Sequence, residues 1–381
     1  MTAPSTTTIP AKGLEGVVAT QSAISYVDGE AGRLIYRGYD IDDLARHSTF
    51  EETAYLLMIG RLPTRSELKE FAAQLKAAQR LDKVTLRVIK DAPPGSRPMN
   101  VLRTATSATV YTDPDKGDNS PEAELRKSIR LLAKVPTIIA TFHRLRSGQR
   151  PLTPRKSLSL AANFLYLLTG EVPEQEVARA LDVALILHAD HELNASTFTA
   201  RVIAATLMDV HGAVTGAMAA LAGPLHGGAN MEVMKMLLEI DQPERAERWI
   251  LERLAAKQKI MGFGHRVYRT EDPRARHLRK MSEEMGKKLG QPKWYEISRK
   301  IEEVVMREKG LYCNVDFYSA SLYYVMGIPV DLYTPIFAMS RVAGWCAHIL
   351  EQHSDNRLIR PRAEYTGPLG LAYVPLNRRG R

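Results

Sequence analysis

The sequence predicts a mostly α-helical fold with very little sheet. Apolar residues recur at three- and four-residue spacing through most of the chain after residue 40, the period of a helix with one buried face. Clusters of Gly and Pro separate these segments, and only two short β-prone runs interrupt the pattern, both near the N-terminus. The composition, 45% hydrophobic and 25% charged, is that of a globular protein. No stretch approaches the roughly 18 uncharged apolar residues of a membrane span, so a membrane protein is not expected.

The elements follow in order from this pattern. The runs 23–27 and 33–36 flank the turn-rich loop 28–32, which predicts a short N-terminal β-hairpin. Helical spacing then predicts helices over 50–59, 65–79, 122–145, 174–188, 195–208, 244–256 and 274–289.

The length of the chain indicates more than one ordinary domain. It has 381 residues, whereas domains usually have about 100–200. No long Gly/Ser or charged linker divides it, so a second domain must be packed closely or inserted. The Gly/His-rich turn 223–230 and the return to strongly apolar sequence near Ile328 are the candidate boundaries.

The cysteine count limits the chemistry. Cys313 and Cys346 are the only two, which excludes a disulfide framework and a Cys-based zinc module. Both stand in apolar surroundings, as free thiols usually do, and a reducing, cytoplasmic setting is expected. The first dozen residues have no apolar core, so they match neither a signal peptide nor a transit peptide.

The net charge of +9 points to an anionic partner: a nucleic acid, a membrane surface or a polyanionic small molecule. Residues 264–310 hold 13 Lys and Arg against 8 Asp and Glu. The bases alternate with acids at helical spacing, which is typical of a solvated helix surface, and no nucleic-acid-binding motif accompanies them. A basic helical nucleic-acid-binding protein remains an alternative hypothesis.

Residues 187–194, LHADHELN, form the first candidate site. Counted from Leu181, His188 and His191 continue the buried face of the predicted helix 174–188. Each is a core histidine or, taken together, they could share a metal ion, as in a metal-dependent hydrolase. The order HxxHE differs from the HExxH and HxxEH patterns that combine two ligands with a carboxylate base, so metal is the weaker interpretation.

Two further candidates combine a histidine with glycines. His226 lies in GPLHGGAN, a turn where the backbone can approach a ligand closely, although the glycines could simply separate two helices. His265 lies in GFGHRVYRTEDPR, where Asp272 and Pro273 form a good N-cap and first position of a helix. A cation in that first turn, Arg274, is unfavourable unless an anion binds there.

The last candidate is Asp316 in CNVDFYS, which precedes a short helix ending near Gly327. Locally, an aspartate in this position is most simply a helix N-cap. Each of the four signals is weak when it stands alone.

In combination and in this order, the motifs GPLHGGAN, GFGHRVY…DPR and NVDFYS resemble those of the citrate synthase family. The segments 36–45 and 50–57 are similar to its N-terminal pattern, and the match runs from about residue 13 to 367. One departure is RPMN at 97–100, where relatives often carry HPMD. The resemblance implies a helical enzyme with a large domain, 1–226 and 328–381, and a smaller mobile domain, 227–327, that closes over the substrates.

The resemblance also implies a reaction, the condensation of acetyl-CoA with oxaloacetate followed by hydrolysis of citryl-CoA. Asp316 is then the base that removes a proton from the thioester methyl group. His226 donates a hydrogen bond to the thioester carbonyl, and His265 polarises the oxaloacetate carbonyl.

Substrate contacts carry over from the family residue by residue. No metal or redox cofactor is implied. Because the arginine that corresponds to Arg360 reaches the neighbouring subunit's site in the family, a homodimer is the minimum expected assembly. The expected oxaloacetate contacts are His191, Asn194, Arg274, Arg341 and Arg360, and the expected CoA-phosphate contacts are Arg269, Lys309 and Arg307.

The nearest alternative is 2-methylcitrate synthase, which uses propionyl-CoA in the same fold. One methylene is discriminated by only about 1–3 kcal/mol in an apolar pocket, so the sequence alone separates the two activities poorly. Arg266 and Arg269 favour an ordinary citrate synthase.

Overall fold

The computed structural model of the protein describes residues 12–379. Within that range the chain forms sixteen α-helices and one three-stranded sheet, which confirms the mostly α-helical prediction. Residues 1–11, for which no targeting signal is predicted, lie outside the described range, as do the last two residues of the chain. No helix between residues 12 and 379 is long and apolar enough to cross a membrane.

The N-terminal sheet contains the predicted hairpin and one additional strand. Strand β1, Ser25–Asp28, pairs antiparallel with β2, Arg33–Tyr36, and β2 pairs with the two-residue β3, Tyr39–Asp40. Arg37 and Gly38 connect β2 to β3 with φ values of 48° and 90°, the positive angles of a tight two-residue hairpin turn. A strand of two residues is too short to leave an alternating pattern in the sequence.

Eleven helices form the larger packed group, and side-chain caps define where several of them begin. Thr64 caps the third helix in a capping box with Glu67. The ninth helix ends at Ala204, earlier than the predicted 208, because Leu207 adopts a positive φ of 64° and Asp209 caps the next helix. The group consists of α1 Ile41–His47, α2 Phe50–Ile59, α3 Arg65–Ala78, α4 Lys83–Asp91, α5 Pro98–Ala108, α6 Pro121–Arg146, α7 Leu160–Thr169, α8 Gln175–His188, α9 Ala195–Ala204, α10 Val210–Leu221 and α16 Tyr333–Ser354.

Helix α16 is the centre of this group. It packs against α2, α6, α8, α9 and α10, and nearly all of its residues are buried. A helix that is apolar on every side must be surrounded by other elements. Polar side chains on α16, among them Arg341 and His348, are therefore held deep inside the protein.

The segment 227–327 contains the other five helices, which pack mainly on one another, while α13 also contacts α1 and α8. Most of the basic side chains of this segment form ion pairs along helix surfaces, such as those from Lys287 to Glu283 and from Arg299 to Glu302. The basic stretch is thus a solvated, ion-paired surface, as its alternating charges predict. The five helices are α11 Ala229–Ile240, α12 Pro243–Ala255, α13 Pro273–Lys288, α14 Lys293–Lys309 and α15 Val315–Val325.

Candidate active site

The loop between α8 and α9 is held by hydrogen bonds to the N-terminal sheet. The hydroxyl group of Tyr36 donates a hydrogen bond to the carbonyl oxygen of Asp190 at 2.8 Å and accepts one from its N–H at 3.1 Å. The fully buried Asp190 carboxylate accepts hydrogen bonds from Ser25 and from the His348 ring. These contacts fix the backbone next to His191.

His191 lies in an aromatic cluster with His265 and Tyr268. The ring centroids of His191 and His265 are 5.2 Å apart, and Nε2 of His191 lies 3.3 Å from the Tyr268 hydroxyl. Burial, with the positive charges of Arg274 and other neighbours, keeps the pKa of His191 well below its usual value. The loop and the GFGHRVY segment therefore meet at one point, where His191 is neutral.

The protein backbone determines the tautomer of His265. Its Nδ1 accepts hydrogen bonds from the N–H groups of Val267 at 3.0 Å and Tyr268 at 3.1 Å. Because a backbone N–H can only donate, the ring proton lies on Nε2. Burial and the charge of Arg274 lower the pKa of His265 to about 4, so the ring is a neutral Nε2–H donor at neutral pH.

His226 has the opposite tautomer. Its Nε2 accepts the backbone N–H of Ser196 at 3.3 Å and lies 2.8 Å from the Ser196 hydroxyl, which leaves the ring proton on Nδ1. The buried hydroxyl also accepts a hydrogen bond from Nε1 of Trp345, and its single proton is shared between Nε2 of His226 and Oδ1 of Asn194, 2.7 Å away. Burial is the main cause that lowers the pKa of His226 to about 4.

A short backbone pairing brings Asp316 to His265. Phe263 and Cys313 form an isolated antiparallel bridge, and the Asn314 side chain donates a hydrogen bond to the Gly264 carbonyl at 3.0 Å. Asn314, not Asp316, is the N-cap of α15, since its side chain accepts the N–H of Asp316. The cap interpretation of Asp316 is therefore wrong, and its carboxylate is not used by its own helix.

The Asp316 carboxylate has the properties of a base. Its Oδ1 is buried and has no hydrogen-bond partner among the described residues. Burial raises the pKa of Asp316 to about 6, against the opposing charges of Arg274 and Arg341. A carboxylate with a raised pKa is a stronger proton acceptor than an exposed one, which is the requirement for removing a weakly acidic proton.

Arg274 is buried in the first turn of α13, where its position looked unfavourable in the sequence. Asp272 resolves this conflict, because it caps α13 and accepts hydrogen bonds from Nε and Nη2 of Arg274 at 2.9 and 2.7 Å. Asp272 also accepts the N–H of Val315 at 3.2 Å, next to Asp316. One carboxylate thus orients the arginine and the start of α15 together.

Arg341 approaches from the central helix α16. Its Nε donates a hydrogen bond to the carbonyl oxygen of His188 at 2.7 Å, and burial lowers its pKa to about 10. The charges of Arg341 and Arg274 both act on His191 and Asp316. Two buried guanidinium groups therefore serve the same small space, a suitable arrangement for a substrate with two carboxylates.

The predicted CoA contacts lie at the edge of this space. Arg269 lines a cavity of about 170 Å³ with His265 and Gly310, the residue that follows Lys309 at the end of α14. Arg269 and Lys309 are exposed, as contacts to a phosphorylated ligand would require. Arg307 differs from these two residues, because its guanidinium group donates hydrogen bonds to Glu247 and Glu308.

Two predicted oxaloacetate residues are not directed at the cluster within one chain. Asn194 is the N-cap of α9, and its amide also donates a hydrogen bond to the His191 carbonyl. Arg360 is exposed beyond α16 and lines a separate cavity of about 940 Å³ with Arg201 and Glu351.

His188 is a core histidine rather than a ligand in this arrangement. Its Nδ1 donates a hydrogen bond to the Ala184 carbonyl at 2.7 Å, and the ring packs edge-on against Phe337. Burial lowers the pKa of His188 to about 3. Between residues 12 and 379, no group of three or more His, Cys, Asp or Glu side chains could hold a metal ion.

Several residues that support the site had no predicted functional role. Tyr268 and Asp272 lie inside the motif GFGHRVYRTEDPR, where their positions next to His265 and Arg274 were the available signal. Ser196 and Trp345 left no signal, because their contact joins the start of α9 to the middle of α16, far apart in the chain.

Comparison with known proteins is in agreement with this geometry. The family model described as "Citrate synthase, C-terminal domain" matches residues 13–362. The chain is 52% identical to citrate synthase 2 of Bacillus subtilis, over 97% of this chain and 99% of the relative. It is 43% identical to 2-methylcitrate synthase of Mycobacterium tuberculosis, over 96% of this chain and 93% of that one.

A solved structure supports the same relationship. The ternary complex of carboxymethyl coenzyme A and oxaloacetate with citrate synthase from Thermoplasma acidophilum superposes with a TM-score of 0.91 at 34% identity, covering 97% of this chain and 99% of that one. The chain therefore belongs to the citrate synthase family.

Proposed function

We propose that this protein condenses acetyl-CoA with oxaloacetate and hydrolyses the resulting citryl-CoA to citrate and CoA. The observation that supports this most strongly is the pair of neutral imidazoles of opposite tautomer, His226 and His265, together with the high-pKa carboxylate of Asp316. The charge of Arg341 acts on both His226 and Asp316. Such a set offers one base and two neutral hydrogen-bond donors, which is what joining an enolate to a ketone requires.

The first step is the removal of a methyl proton of acetyl-CoA by Asp316. The developing charge on the thioester oxygen accepts a hydrogen bond from Nδ1–H of His226. The His226 ring is neutral at neutral pH, so it stabilises the enolate as a neutral hydrogen-bond donor.

In the second step the enolate carbon attacks the ketone carbon of oxaloacetate and a C–C bond forms. The ketone oxygen becomes an alkoxide and takes a proton from Nε2 of His265. Water then attacks the thioester carbon and the C–S bond breaks. One water proton goes to the CoA sulfur, which leaves as the thiol, and the other restores Nε2–H of His265. Asp316 releases the methyl proton to solvent.

Oxaloacetate is a dianion, and we assign its carboxylates to Arg274, Arg341 and His191, with Asn194 supporting the loop. Nε and Nη2 of Arg274 are occupied by Asp272, which leaves Nη1 for a ligand. In Arg341 the hydrogen bond from Nε to His188 leaves both terminal nitrogens available.

The remaining assignments are part of the same proposal. Arg360 would complete the site of a second copy in a homodimer, in accord with its exposure and its separation from the cluster. The helices of 227–327 would form a small domain that closes on a large domain of 1–226 and 328–381. Arg269 and Lys309 would hold CoA phosphates, and Arg307 could do so only by leaving its acidic partners.

No metal or redox cofactor is part of the proposed reaction. We also propose that the protein works in the cytoplasm. Cys313 and Cys346 are buried free thiols, which suits a reducing setting.

The test is thiol release from acetyl-CoA, measured with and without oxaloacetate. Release that depends on both substrates and survives a chelator supports the proposal, and it would dismiss a hydrolase that needs a metal. Absence of release, with salt-dependent retention on DNA, would instead support the nucleic-acid-binding alternative.

2-Methylcitrate synthase is the second candidate, because the chain is 43% identical to a relative of that name. Comparing kcat/KM for acetyl-CoA and propionyl-CoA in the same assay distinguishes the two. A higher kcat/KM with propionyl-CoA would overturn our choice.

A further inference from the structure

The turn of the N-terminal hairpin meets the His265 segment backbone to backbone. The N–H of Arg269 donates a hydrogen bond to the Gly29 carbonyl at 2.9 Å. No side chain could stand between them, because a Cβ on Gly29 would lie 2.3 Å from the carbonyl oxygen of Val267. One of the two segments would then have to move, because real Cβ atoms essentially never lie closer than 3.0 Å to such an atom.

A second glycine of the turn makes the same close approach. A Cβ on Gly32 would lie 2.7 Å from Cγ2 of Thr270 and 2.9 Å from the carbonyl oxygen of Glu271. Two glycines of one turn thus contact consecutive parts of one segment, which makes this a matched surface rather than a single close contact.

The hairpin turn has its own internal brace. Oδ1 of Asp28 accepts the N–H groups of Glu30 at 3.1 Å and Ala31 at 2.8 Å. An aspartate that bonds the backbone two and three residues ahead fixes the shape of a turn. Asp28 therefore holds the Gly29 carbonyl in position for Arg269.

The contact continues to the reacting group. The peptide groups that donate to Nδ1 of His265 belong to Val267 and Tyr268, directly before the residue that Gly29 holds. A displacement at Arg269 must therefore move these two donors, and with them the orientation of the Nε2–H bond of His265.

We propose that the hairpin turn 28–32 is a positioning element for His265, with Gly29 as its positioning residue. The inference rests on the proposed function, since it concerns the role given to His265 there. Gly29 does not touch substrate in this scheme, and it acts only through the backbone of 267–269.

The test replaces Gly29 with Ala and compares it with Gly95→Ala. Neither glycine has a positive φ, and a Cβ on the exposed Gly95 meets nothing within 4 Å, so the pair isolates the steric effect on the segment. Gly29→Ala should lower kcat about tenfold to a hundredfold, since a misplacement near 1 Å has effects of this size. The KM for oxaloacetate should change much less, because His265 acts mainly in the transition state.

A kcat for Gly29→Ala within twofold of Gly95→Ala would overturn the proposal, provided that both variants are folded by circular dichroism. An equal loss through KM alone would also overturn it, since that would indicate a binding role.

If Gly29→Ala does not fold, the Asp28 pair decides. Asp28→Asn keeps an oxygen acceptor for the turn, whereas Asp28→Ala removes it without adding bulk. The proposal expects wild-type kcat for Asp28→Asn and a several-fold loss for Asp28→Ala, while equal activity of the two would contradict it. Thiol release by the wild-type protein tests the proposed function separately, because a fully active wild type with an unaffected Gly29→Ala variant refutes only the positioning role.

Discussion

Burial acts in opposite directions on the carboxyl group and the imidazole groups of the site. It raises the pKa of Asp316 to about 6 and lowers the pKa values of His226 and His265 to about 4. In each case the low-dielectric surroundings disfavour the charged form. Between about pH 5 and 7 both imidazoles are neutral, and among these three groups only the carboxyl group changes its charge.

The pH dependence of activity follows from these values. We expect kcat/KM for acetyl-CoA to fall as pH decreases through about 6, because the Asp316 base becomes protonated, while the histidines remain neutral. A pH series of thiol release measures this. Arg274, Asp272 and Arg341 also act on Asp316, so a limb displaced far from 6 would show that they dominate its titration.

Stability should depend on the same carboxyl group. Its folded-state pKa is raised from 3.8 to about 6, so the ionised form destabilises the folded protein, and this penalty grows as pH rises from 4 towards 7. Asp316→Asn should abolish condensation and raise the melting temperature at pH 8. The gain should vanish near pH 4, and a gain that is independent of pH would contradict this origin.

At the scale of elements, the site is made where helix ends meet. The first turn of α9 contacts His226, and Asp316 and Arg274 are the second residues of α15 and α13. A helix N-terminus has unpaired N–H groups, and here capping side chains use them to hold neighbouring segments together. The caps therefore have two roles, since they start a helix and orient a reacting residue.

A substitution of Ser196 in α9 tests whether the start of this helix orients His226. Ser196→Ala removes the hydroxyl group that lies 2.8 Å from Nε2 and leaves only the backbone donor to hold the ring. We expect kcat to fall about tenfold to a hundredfold, with little change in fold. The control is Ser298→Ala, whose buried hydroxyl bonds only the carbonyl oxygen of Trp294 in its own helix. Equal kcat values for the two variants would contradict the role of Ser196.

A substitution of Asp272 tests whether this residue does more than cap α13. Asp272→Ala should lower the free energy of unfolding by about 3–5 kcal/mol, because it leaves the buried Arg274 guanidinium group uncompensated. Asp209→Ala removes the cap of α10 without such a partner and should lower it by only about 1 kcal/mol. Urea unfolding measures both values, and similar losses would show that Asp272 acts only as a cap.

At the scale of the whole molecule, the α16 helix and the 227–327 segment both supply residues of the site. Arg341 comes from the interior of the first, whereas Arg274, His265 and Asp316 come from the second. Residues on both sides interact electrostatically without being neighbours in sequence. The fold thus brings two buried guanidinium groups together from distant parts of the chain.

A shared site can be detected by mixing variants. Arg360→Ala and Arg341→Ala should each be nearly inactive, and subunit exchange between them should restore about a quarter of wild-type activity, since half of the dimers are mixed and one site in each is intact. Exchange without recovery, with mixed dimers verified by mass spectrometry, would contradict the role of Arg360 in the second site.

The sequence by itself determined the helical class, the positions of eight of the sixteen helices between residues 12 and 379, and the motifs that carry His226, His265 and Asp316. These depend on local periodicity, caps and turn residues, all of which lie within a few positions of one another. The backbone conformation of residues 265–274, which no residue pattern records, set the tautomer of His265 and the pairing of Asp272 with Arg274. The tertiary structure alone decided the tautomer of His226 and the contact of Gly29 with the His265 segment. These depend on atoms that approach within hydrogen-bond distance from distant parts of the chain, and no local pattern records such an approach.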